Sequence, residues 1–334
     1  MTKDIYVFIE QREGKIQEVS LELLGEATKL VKDMPFTDFK VVGVLLGSKI
    51  KEVAGELFGY GADKVIVCDD PQLENYATEF YSDVLCDVLK KYQPDSLLVG
   101  ATVLGRDLAP RVAARLDTGL TADATSIAVD KSEENSTLLL VTRPAFGGNL
   151  FGTIICPNTR PQMATIRPKV FEVPKFDKDA TGEIIEHPIK ITSELLVKVL
   201  KRIKSEATEK DVAEAAIVVS AGRGARGALD LVKQLSNELG GAMGSSRALV
   251  EEGLTPKNIQ VGQTGKTVRP QLYIACGISG AAQHQAGMDK SDYIIAINKD
   301  PNAAIFKIAN LGLVGDVKAV LPLLLEKIKE VRNG

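Results

Sequence analysis

Gly265-Lys266-Thr267 closes the stretch QVGQTGKTVRP in the way a phosphate-binding loop closes, and such a loop would bind and split a nucleoside triphosphate. The chemistry needs a glycine five residues before Gly265, so that backbone N–H groups curl around the phosphates, and Gln260 stands there instead. A phosphate loop must also open a helix. Here Val268-Arg-Pro-Gln leads into the apolar run Leu272–Cys276, and a proline before a β-rich run reads as entry to a strand. Triphosphate hydrolysis is not expected, and the glycines need another explanation.

Other residues able to do chemistry gather at the ends of expected strands. Gly222-Arg-Gly-Ala-Arg-Gly227 follows the strand Ala215–Ser220, Gly244-Ser-Ser-Arg247 closes Ala242–Ser246, and Gly277–His284 follows Leu272–Cys276. Asn298-Lys-Asp-Pro301 follows Tyr293–Ile297, and Gly315-Asp316 ends Leu311–Gly315. Ligands of an open parallel sheet sit beyond the carboxyl ends of its strands. Small residues there permit close backbone approach, while arginines, hydroxyls, amides and a histidine supply directed contacts. Five such ends together suit a large polar ligand.

Gly222, Gly224 and Gly227 form GxGxxG between a strand and a helix, the context of the dinucleotide fingerprint. The fingerprint also wants an acidic residue at the end of the second strand, for the ribose hydroxyls. Ser245-Ser246-Arg247 stands there, which counts against the usual NAD mode. A flavin dinucleotide bound differently, a pyridine-nucleotide-binding dehydrogenase subunit, and glycines serving only tight turns and helix packing all stay open. Arg247, beside two serines, is either a ligand contact or a solvated cation. His284, one of two histidines, follows Gly277-Ile-Ser-Gly280 at an expected helix start where N–H groups favour anions; the alternative is a structural histidine. His187 falls in a polar stretch and reads as solvated.

The elements that must position these residues form two α/β domains. From Asp4 to about Asp130, strand-length apolar runs (Ile5–Ile9, Lys40–Leu46, Lys64–Cys68, Ser96–Gly100) alternate with helix-period stretches (Val19–Lys32, Ile50–Phe58, Ala77–Tyr92). Continuous apolar strands suit a parallel sheet covered on both faces. Leu104–Val112 reads as a helix whose charged residues face water. Between Thr137 and Val173, TLLLVTRPAFGGNLFGTIIC and PQMATIRPKVFEV read as an antiparallel extension of the same domain. Pro174–Pro188 is polar and proline-flanked, so it reads as a linker and hinge. The domains are expected at 1–180, including the start of that 174–188 linker, and at 189–334. The second is a doubly wound five-stranded sheet, with helices at Ala228–Leu239, Ala303–Ala309 and Lys318–Val331.

At 334 residues, 45% hydrophobic and 25% charged, the composition is that of a globular chain. A net charge of -3 gives no reason to expect nucleic acid or an anionic membrane as partner, and no stretch approaches a membrane span. Cys68, Cys86, Cys156 and Cys276 are scattered without a CxxC pair, which argues against common metal spacings and for reduced thiols in a cytoplasm.

VVSAGRG, GSSRALVEEG, QVGQTGKTVRPQLYIACGISGAAQHQAGM, IIAINKDPNAAIF and LVGDVKAVLPLL, in this order and spacing, resemble the α subunit of electron-transfer flavoproteins. The N-terminal half is similar more loosely, best in VGATVLGRDLAPRVAARLDTGLTAD. The resemblance implies a heterodimer with a β subunit and one FAD held largely by the C-terminal domain, the N-terminal domain being a scaffold facing that subunit. It implies that Gln263 and Thr264 contact the flavin, with Thr264 near N5, flanked by Val261 and Gly262. Arg223, Ser246 and the turn Ser279-Gly280-Ala281-Ala282 would meet the phosphates and ribityl chain. Arg247 and His284 would lie near the ring, with His284 at the O2 side, Asn298 and Asp316 would take the adenosine end, and Gln283 and Val317 belong to the same cofactor-binding set. DTGLTADAT and RPAFGGN resemble versions from anaerobic bacteria, some of which bifurcate electrons from NADH to ferredoxin and an acyl-CoA dehydrogenase. That subgroup implies a second FAD in the β subunit, whereas a simple carrier implies an AMP there.

Overall fold

A computed structural model describes residues 3–145, 150–195, 197, 199, 200, 211–213 and 215–333, so residues 146–149 of the RPAFGGN stretch lie outside the described residues. The chain forms two compact units; the described residues of the first run to Leu200 and those of the second begin at Asp211.

The first unit comprises β1 (Ile5–Ile9), the two-residue strands β2 (Gln11–Arg12) and β3 (Lys15–Ile16), α1 (Glu18–Asp33), β4 (Val41–Gly47), α2 (Lys51–Ala54), β5 (Lys64–Asp69), α3 (Thr78–Tyr92), β6 (Ser96–Gly100) and α4 (Val103–Leu116). It continues through β7 (Leu120–Ala124), β8 (Ser126–Val129), β9 (Leu139–Ala145), β10 (Leu150–Ile154), β11 (Gln162–Ile166) and β12 (Glu183–Glu186). Seven strands form one parallel sheet in the order β12-β5-β4-β1-β6-β11-β7. Every residue of β1, β4 and β6 is buried, as continuous apolar strands between two helical layers require. On α1, Val19, Leu23, Ala27 and Leu30 recur at four- or three-residue spacing and face this sheet.

Four expectations need correction. Only β8, β9 and β10 make the antiparallel extension; β11, from PQMATIRPKVFEV, runs parallel between β6 and β7. Its polar residues disguised a central strand, and each is satisfied: Gln162 accepts from Leu139 N at 2.8 Å and donates to Asp95 Oδ2 at 2.9 Å, while Thr165 accepts from Asp123 N at 2.9 Å. Nor is 174–188 a free linker. Its charges belong to an edge strand: β12 lies on β5, with Glu183 and Glu186 paired to Lys64 and Lys51 at 2.9 Å each. His187 is buried, not solvated, with Nε2 at 2.9 Å from Asp87 Oδ2. Ile50–Phe58 is a single α-turn followed by a 3₁₀ segment, since Gly55 and Gly59 weaken the longer helix. The charges on α4 do face water, with Arg106 and Asp107 exposed and Arg111 half-buried, and they are also partnered: Arg106 meets Asp123 at 3.0 Å and Arg111 meets the buried Glu79 at 3.4 Å.

The chain after β12 stays fastened to the first unit. Asp83 of α3 accepts from Thr192 N at 2.8 Å and Ser193 N at 2.6 Å, and it pairs with Arg115. Burial acts to raise its pKa, but these donors outweigh it and hold the carboxyl well below its ordinary 3.8. A hinge inside 174–188 would have to strip β12 from its sheet, so rotation at that point is not supported. Because the folded pKa is the lower one, the stabilisation is present above about 3.8 and is lost as pH falls below it. Asp83→Ala is expected to cost about 1–3 kcal/mol in urea unfolding at pH 7, with a smaller difference from wild type at pH 3. An unchanged midpoint at pH 7 would remove this fastening.

The second unit comprises β13 (Ile217–Ala221), α5 (Leu229–Glu238), β14 (Ala242–Ser245), α6 (Arg247–Glu251), β15 (Leu272–Cys276), α7 (Ala282–Gln285), β16 (Tyr293–Asn298), β17 (Leu311–Val314) and α8 (Val317–Asn333). Its five strands are parallel in the order β14-β13-β15-β16-β17. The strand order reverses at β13/β15, which places a crevice beyond their carboxyl ends. Ala303–Ala309, expected as a helix, is one 3₁₀ turn, Ala304–Lys307. No described helix is long and apolar enough to cross a membrane.

Candidate functional site

At the switch point the loops after β13 and β15 touch through their backbones. Gly222 N donates to Cys276 O at 2.8 Å and Gly224 N to Gly277 O at 3.0 Å. A Cβ on Gly222 would lie 2.4 Å from Gly277 O and 2.7 Å from Ile278 Cα, so only glycine allows the approach. The GxGxxG segment does not open a long helix directly: Arg223–Ala225 is a 3₁₀ turn, and α5 begins at Leu229.

These loops frame a cleft of about 600 Å³. Of the residues singled out in the sequence, Arg223, Ser246, Arg247, Val261, Gly262, Gln263, Thr264, Ser279, Ala281, Gln283, His284, Asn298, Asp316 and Val317 line it. Gly280 and Ala282 are not brought to its wall. Gly280 instead buttresses the turn, with φ +83° and space for a Cβ only 2.2 Å from Ile305 N. Sequence reasoning missed Glu251, Gln260, Ala248 and Lys299 as lining residues. Glu251 was legible as the residue one helical turn after Arg247, and Lys299 lay inside a strand end already marked.

The false phosphate loop is a tight bend. Gly262 N donates to Lys266 O at 3.1 Å, Lys266 N to Gln260 O at 2.7 Å, and Gln263 N to Gln283 O at 2.7 Å. Gln260 Nε2 donates to Thr264 Oγ1 at 3.0 Å, so the residue that broke the motif positions the loop. The Lys266 ammonium goes to Asp211 at 2.7 Å and takes no part in the cleft wall.

Arg223, Arg247 and Lys299 give the cleft three cations against the carboxylates of Glu251 and Asp316. Arg247 Nε is held by Glu251 at 2.7 Å, both side chains being largely exposed. Asp316 accepts from Lys318 N at 2.8 Å at the start of α8, and Asn298 donates to Ile278 O at 2.8 Å, so both also brace the frame. His284 is buried; burial pushes its pKa down to about 4, with the Val261 backbone pulling slightly the other way, and the ring is neutral at pH 7. Its Nε2 lies 2.9 Å from the Tyr273 hydroxyl. Its Nδ1, and Ser246 Oγ at the start of α6, are buried and make no well-formed hydrogen bond among the described residues.

Such a cleft can hold an elongated anionic ligand with hydrogen-bonding rings, in the size range of cofactor pockets. Residues 5–192 match the profile of the electron transfer flavoprotein domain, and residues 211–289 that of the electron transfer flavoprotein FAD-binding domain. Electron transfer flavoprotein subunit alpha of Thermoanaerobacterium thermosaccharolyticum is 49% identical over 99% of each chain. Acryloyl-CoA reductase electron transfer subunit beta of Anaerotignum propionicum is 44% identical, covering 99% of this chain and 97% of that one. Lactate dehydrogenase (NAD(+),ferredoxin) subunit LctC of Acetobacterium woodii is 42% identical over 99% of this chain and 78% of its own length.

Proposed function

Because the chain belongs to the electron transfer flavoprotein α-subunit family, we propose that it holds one FAD in the cleft of its second unit and passes electrons as half of a heterodimer with a β subunit. The observation that carries this is the pair of buried polar atoms on the cleft wall that make no well-formed hydrogen bond among the described residues, Ser246 Oγ and His284 Nδ1. An orphaned buried polar group costs about 1–3 kcal/mol, which a ligand with matching atoms relieves. The residues fit a flavin dinucleotide: Arg223, Ser246 and Ser279 supply charge and donors for a diphosphate, and glycines 222, 224 and 277 let backbone come close. When bound, the flavin supplies reversible one- and two-electron chemistry.

Arg247 puts positive charge at the cleft, Gln263 and Thr264 offer polar groups from a loop locked by Gln260, and neutral His284 can give or take one hydrogen bond. Asn298 and Asp316 serve the adenosine end, and the first unit faces the β subunit as a scaffold. One relative is named for an acryloyl-CoA reductase and another for an NAD(+)- and ferredoxin-linked lactate dehydrogenase, which supports a redox enzyme of that kind as partner. Within this reading an acyl-CoA dehydrogenase partner and NADH- and ferredoxin-linked bifurcation go with a second FAD in the β subunit, and a simple carrier with AMP there. The purified heterodimer is expected to be yellow and to release FAD on denaturation. Two FAD per heterodimer support bifurcation, and one FAD plus AMP the simple carrier. A colourless complex that takes up no added FAD would end the flavin reading.

A further inference from the structure

Tyr273 lies at the second position of β15, wholly buried beneath the cleft. The loop beyond β15 turns back through two left-handed glycines, Gly277 at φ +65° and Gly280 at φ +83°, which returns α7 over the strand. That reversal sets His284 Nε2 2.9 Å from the Tyr273 hydroxyl, with ring centroids 6.1 Å apart. The other ring nitrogen, Nδ1, makes no well-formed hydrogen bond among the described residues, although the Val261 backbone acts on the ring as an acceptor and His284 is 93% buried and borders the cleft.

A neutral imidazole carries one N–H and one lone pair, and the hydrogen bond at one nitrogen decides what the other offers. Burial pushes the Tyr273 pKa upward, so the group stays a phenol with a proton to give. A buried phenol needs an acceptor: of its two neighbours, the Ser220 hydroxyl can turn its own proton toward the phenolic oxygen, which leaves the bare imidazole nitrogen to accept the proton of the phenol. We infer that Tyr273 is a positioning residue: its hydroxyl donates to His284 Nε2 and thereby fixes the imidazole in the tautomer that presents Nδ1–H to the cleft, for a carbonyl-type acceptor on the ligand. This rests on the reading of the cleft as the flavin site, because the pyrimidine edge of a flavin offers such acceptors. Without the tyrosine hydroxyl, Nε2–H becomes available and a bare Nδ1 would meet the ligand lone pair to lone pair.

Two histidines in the chain make the test direct. Long-range proton–nitrogen correlation on the [15N]histidine-labelled full chain, with His284→Asn to assign the signals, is expected to show protonated Nδ1 and bare Nε2 at pH 7. Tyr273→Phe is expected to shift His284 toward the Nε2–H form and to raise the Kd for added FAD about three- to tenfold, the worth of one ordinary hydrogen bond. His284→Ala should cause a similar loss, and the double variant should lose little more than either single change. A wild-type chain with bare Nδ1 overturns the inference without needing any variant. So does Tyr273→Phe with unchanged tautomer and FAD affinity while His284→Ala binds FAD more weakly. If His284→Ala leaves FAD binding untouched although wild-type Nδ1 is protonated, the contact of Nδ1–H with the ligand falls with it. A wild-type chain with protonated Nδ1 that takes up no FAD at all overturns the flavin reading of this cleft and leaves the tyrosine–histidine pair standing.

Discussion

Gly222→Ala should weaken FAD binding by about fivefold to about 150-fold, the largest loss expected from adding a single methyl to this chain. The new Cβ would sit 2.4 Å from Gly277 O and 2.7 Å from Ile278 Cα, and both obstacles are backbone. No rotamer change relieves them; the loops after β13 and β15 must part. Parting strains two bonds, Gly222 N to Cys276 O and Gly224 N to Gly277 O, on which the cleft's phosphate end depends. Overpacking costs about 1–3 kcal/mol and each weakened bond about 0.5–1.5. If half of that total falls on the bound state, it converts at about 1.4 kcal/mol per factor of ten into the stated loss. The control is Gly55→Ala, where nothing lies within 4 Å of the added methyl and φ is helical, so both FAD binding and stability should hold or improve. Titrating FAD into both variants decides it. Undiminished affinity in Gly222→Ala would mean that the closeness of these loops is irrelevant to the ligand.

What the sequence disclosed of this site, and what it hid, follows from the reach of each signal. Strand ends are local: an apolar run followed by glycines and polar residues is visible in ten residues, and the five ends of the second unit were found that way. Lys266 could be set aside from Gln260 and Pro270 alone, but its partner Asp211 lies 55 positions away and no periodicity points to it. Tyr273 reads as one more apolar residue of β15, since the histidine that gives its hydroxyl a role is reached only after a chain reversal at two positive-φ glycines. The same holds for edge strands. Glu183-Ile-Ile-Glu186 looks like linker until Lys64 and Lys51 are placed opposite its carboxylates, and Gln162 looks out of place in a central strand until Leu139 and Asp95 are seen to satisfy it. Polar residues mislead wherever their partner is remote in sequence.

Arg247 and Glu251 are expected to move the flavin's first-electron potential in opposite directions. Reduction adds negative charge to the ring, and a guanidinium keeps its positive charge at any working pH. At about 4 Å and an effective dielectric near 20, the attraction is roughly 4 kcal/mol. Two observations cut this down: the Arg247 side chain is 63% exposed, and Glu251 holds its Nε at 2.7 Å. Solvent screening alone brings exposed pairs toward about 1 kcal/mol, or about 40 mV for one electron. Arg247→Ala should therefore lower the potential by about 20–60 mV with FAD still bound, and Arg247→Lys should recover part of it, since the charge returns without the planar fork. Glu251→Gln removes the competing carboxylate and frees the arginine for the ligand, so the potential should rise by a similar or smaller amount. The double variant separates the two charges: if Glu251 acts only through Arg247, replacing it in an Arg247→Ala background changes little. Spectroelectrochemical titration of FAD-replete protein reads all four. If Arg247→Ala stays within about 15 mV of wild type, the cation is a surface residue held by its helix neighbour, and the positive character of the cleft must come from Arg223 and Lys299 instead.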